Sequence, residues 1–477
     1  MTAISSSTAN QQQLGASILG SLGVGNGLNI NSIVSQLVAA EGQPVTSQIT
    51  SQETAVNTQL SGLGQLQNAL TTFQSAVTAL QTAGGLQAAS ASSSNSSIVT
   101  ATASPGAAAA THSIEVDQLA TQQTSITTAQ FANSAAVVGT GTLTFTLGSG
   151  TAFNVNIDSS NDTLAGIANA INTASGNNSV QAGIINVDNS SGTGTVSELE
   201  LTSTNPGTAN AFTITGSGPS QLLSTNLTNQ TTAQDSKIKV DGQTATNSSN
   251  NLSNVLPGVT LNLQSASVGT TVDVSVSQNT SSITSALNNF VSAYNSLNST
   301  IQSLQAYGGV GGTNGALFGD PAIQGIEDQI RTTTSNVVNS VSTGYNSLAM
   351  IGISIDNTGT MALNTTQLNT ALTADPNSVN DVFNNADGVA TNLMTGLTNL
   401  TGSGGPISTE VSSLNSEITS LQSQQTAENA YLDSYQATLQ QEYASMQTLV
   451  SQYSSTGSFL TSWINSNSGS SSSSSGK

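Results

Sequence analysis

Both ends of the chain carry apolar residues at helical spacing, and the long stretch between them carries apolar residues at every second position. In the N-terminal part, Ile49, Val56, Leu63, Leu70 and Val77 form one row and Leu66, Phe73 and Leu80 a second. From Leu63 onward spacings of three and four alternate, so the stripe has to face a partner helix. Pro44 stands where a first helical turn tolerates its missing N–H, and Gly84-Gly85 supplies the stop, which predicts a helix about 55 Å long. The C-terminal part repeats the pattern through Val411, Leu414, Ile418, Leu421, Gln425, Glu428, Leu432, Tyr435, Leu439, Glu442, Met446, Leu449 and Tyr453. All but Gln425, Glu428 and Glu442 are apolar, which predicts a coiled-coil helix about 65–70 Å long. It starts at Gly402–Pro406 and ends near Gly457, and beyond Trp463 the Ser/Gly low-complexity tail reads as disordered. A helix packed inside one globular domain is the blander reading, set against the rarity of helices this long without internal caps.

Alternation marks the middle. Ile114–Val116, Leu143–Leu147, Phe153–Ile157, Leu199–Leu201, Phe212–Ile214, Ile238–Val240, Val259–Leu263 and Val272–Val276 each read as a strand with one face buried and one in water. One helix interrupts them, with Asp162 as its cap and Leu164, Ile167, Ala168 and Ile171 as its inner stripe. Helical period returns with Ile283, Leu287, Phe290, Val291, Tyr294, Leu297, Ile301 and Leu304. A hairpin then spans Ile351 to Leu363, Asn364 caps a helix with Leu368, Ala371 and Leu372 inside, Asp375-Pro376 stops it, and a short helix carries Val379, Val382 and Phe383.

This order predicts an α+β multidomain protein. Long terminal helices form a coiled-coil leg, and antiparallel β-rich head domains are inserted between them. The boundaries expected are a mobile N-terminal segment 1–42, the N-terminal leg helix 43–83, a first head domain 84–125 with 236–280, and an inserted outer head domain 126–235. A helical leg domain 281–405 follows, with its hairpin at 351–363, then a coiled-coil helix 406–464 and a disordered tail 465–477. The coiled-coil core is assigned to Leu63, Leu66, Leu70, Phe73, Val77, Leu80, Val411, Leu414, Ile418, Leu421, Leu432, Tyr435, Leu439, Met446 and Leu449.

Charge narrows the partners. Only 6% of the 477 residues are charged, against about 25% in an ordinary soluble chain, and 4 basic against 24 acidic residues leave a net charge of −20. Lys237, Lys239, Arg331 and Lys477 are the only fixed cations, too few to neutralise a run of phosphates or to hold an anionic membrane surface. With no cysteine and the single histidine His112, the chain offers no thiolate site, disulfide or two-histidine metal site. No cofactor is expected. The start of the chain has no basic region followed by an apolar core, and no stretch approaches a membrane-spanning run. Low charge with abundant Ser, Thr and Asn and few aromatics suits an extracellular bacterial surface structure, which needs an export route other than a cleavable signal.

Three motifs carry a resemblance. The first is Gly25-Asn26-Gly27-Leu28-Asn29-Ile30, followed by an apolar helix that ends in Glu41. The second is the 163–214 unit with its Ile171-Asn172 pair. The third is the Ile351–Leu363 hairpin with the helix after it, Asp375-Pro376 and Val382-Phe383. Together they resemble the flagellar filament cap family, the hook-associated protein 2 family. Asn29 stands where that family usually has Asp, and the 163–214 unit resembles a repeat that flagellins and hook-associated proteins share. The resemblance spans nearly the whole chain.

It implies an extracellular structural assembly protein at the distal tip of the bacterial flagellum, exported unfolded by the flagellar type III secretion system with an export chaperone. Its partners would be itself, in a homo-oligomeric ring taken as a pentamer, and flagellin with the filament or the hook–filament junction. It would prevent flagellin leakage and promote flagellin polymerisation. Leu28, Ile30, Ile33, Val34, Leu37 and Val38 lie on a short helix that cannot bury its stripe alone, and they are expected to contact the filament end.

Other classes stand beside this one: a junction or filament protein of the same axial family, an adhesin of the flagellar tip binding host glycans or mucin, and an extracellular hydrolase. The hydrolase reading has little to stand on. Nothing singles out a carboxylate pair, and no nucleophile elbow accompanies His112. Asp356-Asn357-Thr358-Gly359 is too short for a calcium loop and reads as a turn. The Gly-rich runs near Gly25 and at Gly308–Gly315 lack the Lys-Ser/Thr of a phosphate loop.

Overall fold

The computed structural model describes residues 30–189, 192, 194–342 and 344–468. Its frame is two long helices, α1 (Ile30–Gln81) and α9 (Pro406–Ser468), about 78 Å and 95 Å long at the usual rise per residue. After α1 a single turn, α2 (Ala83–Leu86), leads into the β heads, and the chain returns through α4 (Thr280–Leu304). Then come α5 (Pro321–Ser335), the hairpin β16 (Ile353–Ile355) and β17 (Met361–Leu363), α6 (Thr365–Ala374), α7 (Ser378–Asn384) and α8 (Val389–Thr401). Between α2 and α4 the heads hold the strands β1 to β15 and the helix α3 (Leu164–Asn172).

The helical domain forms because every stripe has another to meet. Leu63, Leu66, Leu70, Phe73, Val77 and Leu80 of α1 are all buried, in one core with Ile283, Leu287 and Phe290 of α4 and Leu393 and Leu397 of α8. Phe290 stands at the centre, 5.6 Å from the Phe73 ring and edge-on to Phe383 of α7 at 5.4 Å. These six α1 positions, expected in a coiled-coil core, therefore belong to a multi-helix core, since α4 and α8 reach the same stripe. Asn364 caps α6 as expected, accepting from the Thr366 and Gln367 N–H groups, and α6 ends at Asp375.

The inner head sets a five-stranded antiparallel sheet against a three-stranded one. The first has the order β1 (Ala89–Ser93), β15 (Thr271–Gln278), β3 (Ala110–Gln118), β11 (Ser236–Val240), β12 (Gln243–Asn247). The second has the order β13 (Asn251–Leu256), β14 (Val259–Leu263), β2 (Val99–Ala103). Ile114, Val116, Ile238, Val272 and Val274 share a core with Val99, Leu252 and Leu261.

The outer head is inserted between β3 and β11. Its four-stranded sheet runs β10 (Leu227–Thr231), β4 (Thr124–Thr127), β8 (Thr195–Ser203), β7 (Val180–Asp188). Its three-stranded sheet runs β6 (Ala152–Ile157), β5 (Gly141–Leu147), β9 (Phe212–Gly216). With α3 they enclose Phe145, stacked on Phe153 at 4.8 Å, and Leu164, Ile167 and Ile171. Thr163, not Asp162, caps α3, because its hydroxyl is the group that reaches the Gly166 N–H, at 3.1 Å.

The ends differ from expectation in three ways. Pro44 lies inside α1 rather than at its first turn, so 43 is not a structural boundary and Ile30–Gly42 continues the helix. The missing N–H deprives the Ala40 carbonyl of one bond, and packing along α9 carries the helix through. At the other end α9 runs past Gly457 and past 464 to Ser468, through part of the expected disordered tail. An exposed glycine costs a helix only about 1 kcal/mol, so it is a weak stop.

Candidate functional site

The feature that the fold leaves unfinished is the far end of the two long helices. Tyr431 of α9 donates its hydroxyl to Glu41 Oε1 of α1 at 3.3 Å, and Leu432 lies against Gly42. Further along, Gln59 of α1 lines one cleft with Glu410 and Leu414 of α9. Advancing along α1 thus means retreating along α9, so the helices run antiparallel as a two-helix stalk that leaves the multi-helix core above about Val56.

The stalk is a thin coiled coil. On α1, Ile33, Val34, Gly42, Ile49 and Val56 are buried, and Ile30, Leu37 and Val38 are half-buried. Leu28 lies outside the described residues. On α9, Leu414, Leu421 and Leu439 are buried, and Val411, Ile418, Leu432 and Tyr435 are half-buried. The polar layer positions Gln425 and Glu428 are also half-buried, while Glu442 is exposed. Two helices cannot enclose a side chain on all sides, so Glu428 keeps contact with water. Glu41 sits beside the Tyr431 phenol and pushes its pKa up.

Met446 and Leu449 depart from the expected core. They are 42% and 53% exposed, because α9 there has passed the Ile30 end of the described α1. The stripe goes on through Val450, Tyr453, Leu460, Trp463 and Ile464, all at least half exposed. Of the large apolar side chains exposed among the described residues, only Val137 and Val268 belong to the β heads. The remainder lie on the stalk and the helical domain, including Tyr307 and Phe318, whose rings meet at 5.8 Å, and Val310 at the tip of the Gly-rich loop. Sequence reading stopped at Tyr453, although the three-and-four spacing of Leu460, Trp463 and Ile464 continues it. It also missed Gly42, whose signal is a glycine at a core phase of the heptad.

The groups weighed for chemistry have structural partners. His112 Nδ1 is 2.8 Å from Asp241 Oδ2, and Asp241 Oδ1 accepts the Ser113 N–H, which fastens the turn between β11 and β12 onto β3. The hydrogen bond from His112 lowers the Asp241 pKa. Asp241 is the one described non-glycine residue with positive φ, at 50°, as a tight hairpin turn requires. Lys239 bridges Glu115 at 3.1 Å and Asp117 at 3.3 Å, and the Gly269 N–H with Lys239 holds the Glu115 carboxyl below its usual range. Asp356 accepts from Thr358 and Thr360 within the β16–β17 turn, a turn rather than a cation loop. Among the described residues no group of three or more His, Cys, Asp or Glu side chains could hold a metal ion, and no helix is long and apolar enough to cross a membrane.

Two family models match the chain: the flagellar hook-associated protein 2 N-terminus over residues 26–123 and the flagellar hook-associated protein 2 C-terminus over residues 233–455. The flagellar hook-associated protein 2 of Escherichia coli is 32% identical, covering 95% of this chain and 99% of its own length. The B-type flagellar hook-associated protein 2 of Pseudomonas aeruginosa is 30% identical over 78% of this chain and 82% of its own. Among solved structures, the crystal structure of the flagellar cap protein FliD from Escherichia coli aligns with a TM-score of 0.66 at 32% identity, over 74% of this chain and 99% of that one. The same long helices with antiparallel β domains between them recur there, and with this likeness along nearly its whole length the chain belongs to the flagellar hook-associated protein 2 family.

Proposed function

We propose that this protein caps the distal tip of the bacterial flagellar filament, keeps flagellin from leaking away and guides each new subunit into place. The observation that carries the reading is the separation of surfaces. Exposed apolar side chains gather on the stalk and helical domain, and the β heads are clothed in Ser, Thr and Asn. A body with one apolar end and one polar end suits a lid whose stalk is held by the filament and whose head faces water. The stalk contact comprises the exposed α9 stripe from Met446 onward with the half-buried Ile30, Leu37 and Val38, and Leu28 belongs with them by sequence; Ile33 and Val34, expected in the same contact, are instead buried within the stalk itself. The subunits form a ring, and they reach the tip through the flagellar export apparatus. Since so few Lys and Arg are available, ring contacts rest on hydrogen bonds and apolar patches, so association survives high salt.

The test is a strain lacking the gene. It secretes monomeric flagellin and makes no long filaments, and the full chain restores them. A chain with Leu449→Ser and Leu460→Ser folds and is secreted but fails to restore them. Normal filaments in the deletion strain would sink the capping role. Full rescue by the double variant would sink only the stalk contact.

A further inference from the structure

We propose that Asp235 and Gly207 form a clasp that locks the outer head onto the inner head, so that the two β domains turn as one rigid body. The outer head is joined to the rest by two short strands of chain, 119–123 and 232–235, the usual anatomy of a swivel. Here the backbone of that neck is tied on both sides. From below, Asn250 of the inner head accepts the Ala120 N–H at 2.7 Å and donates to the Ala120 carbonyl at 2.9 Å. Within the neck, Thr121 and Gln234 exchange N–H···O bonds at 3.0 and 3.2 Å, and the Thr121 hydroxyl donates to the Thr232 carbonyl.

From above, the outer head sends down the loop between β8 and β9. The Gly207 N–H donates to the Thr121 carbonyl at 3.1 Å. The Asp235 carboxylate takes the Thr208 N–H on one oxygen at 2.7 Å and the Thr208 hydroxyl on the other at 2.9 Å. Gln118 fixes Asp235 itself by donating to its carbonyl at 2.8 Å. Gly207 is buried at φ 97°, and a Cβ there would stand 2.6 Å from Ser248 Cβ of the inner head. The two heads thus touch directly at Gly207, which has no side chain to keep them apart. To swing, the outer head must break the two-pronged Asp235 grip and the Gly207 bond together. Close packing of this kind resists small displacements instead of bending gradually.

Because the chain has no cysteine, a single reporter pair can be placed cleanly. Val137 in the outer head and Val268 in the inner head are both strongly exposed. Spin labels on Val137→Cys and Val268→Cys in the full chain report the distance between heads by pulsed dipolar spectroscopy. The parent gives one narrow distance. Asp235→Ala, which removes both acceptors, and Gly207→Ala, which wedges the contact at Ser248, each broaden the distribution about twofold or more, as expected when a docked pair becomes a hinge. Asp235→Asn keeps an oxygen for the Thr208 N–H and stays closer to the parent. Circular dichroism and melting of each variant confirm folded heads. A broad distribution in the parent overturns the proposal, and so do distributions in both folded alanine variants as narrow as the parent's. Filament capping does not enter the measurement, so its outcome is independent of that reading.

Discussion

Leu432 of α9 fills the space that a Cβ would occupy at Gly42 of α1, so the two stalk helices interlock there at a glycine. A second glycine of α1, Gly62, has a different neighbour: a Cβ would stand 2.9 Å from Ala316 Cβ and 3.1 Å from Leu317 Cγ. The tip of a leucine can rotate away, whereas an alanine Cβ moves only with its backbone. Gly42→Ala should therefore be close to neutral, the gain in helix propensity of about 1 kcal/mol offsetting the Leu432 rearrangement. Gly62→Ala should lose about 1–3 kcal/mol through overpacking. Denaturant titration of both variants checks this, and an equal loss at both positions would contradict it.

Acid should unfold the protein through its hydrogen-bonded carboxylates. Ser340, by hydroxyl and N–H, and the Asn339 N–H lower the Asp387 pKa, and Thr358 and Thr360 do the same for Asp356. Asp241, Glu115 and Asp158 are shifted in the same direction. A carboxyl whose folded pKa lies below its unfolded value of about 4 stabilises the fold above that pH, and the contribution is lost as pH falls through the folded value. The melting temperature should stay level from about pH 7 to pH 5 and drop below about pH 4. Asp387→Asn should lessen that drop, and a melting curve in which the variant keeps the full slope would remove Asp387 from the account.

Gln123 joins the two sheets of the outer head. Its Oε1 accepts the Phe212 N–H at 2.9 Å, and its Nε2 donates to the Phe212 carbonyl and to Ser125, both at 3.0 Å. Gln123 is 7% exposed, so water cannot replace it. Gln123→Met, similar in size, should cost about 1–3 kcal/mol for each backbone group left unpaired. Hydrogen exchange at the Phe212 amide should rise with it, and unchanged protection there would mean that another group supports β9.

The polar layer of the stalk invites a functional test. Gln425 and Glu428 sit half-buried at core phases, where leucine would pack better. Gln425→Leu with Glu428→Leu should raise the melting point and leave filament binding intact. If the stalk has to yield as each flagellin enters, filaments should elongate more slowly on this variant. A higher melting point with unchanged elongation would leave these residues as a solvent-facing stripe and nothing more.

The architecture was legible because burial imposes period. Each alternating stretch named from sequence lies within a strand, and Leu164, Ile167, Ala168 and Ile171 are all buried. What escaped was what burial does not pattern. Strand β12, Gln243–Asn247, has no apolar alternation and exists through its ladder with β11. Helix α8 carries Val389, Leu393, Leu397 and Leu400 at helical spacing, a signal that was present and unused. On the stalk, the periodicity identified the stripe correctly, but a heptad position says which way a residue faces, not whether a second helix is there. Leu439 meets one, and among the described residues Leu449 does not. The neck clasp was invisible, since Gly207 and Asp235 acquire meaning only when Ser248 and Thr208 are brought beside them.

The nesting of the heads also sets an order of assembly. The helical core needs α1 and α4 side by side, yet the chain between Leu86 and Thr280 is all head. Closing so long a loop from an unfolded chain costs about 4–5 kcal/mol in entropy beyond a constant, before any helix contact repays it. The inner head brings its own ends together: β1 lies antiparallel beside β15, with Ala89 opposite Gln278. Once those strands have paired, the loop that α1 and α4 must close shrinks to a few residues on either side. The heads therefore act as the splint on which the leg folds, and the stalk, which needs α9 laid back along α1, forms last.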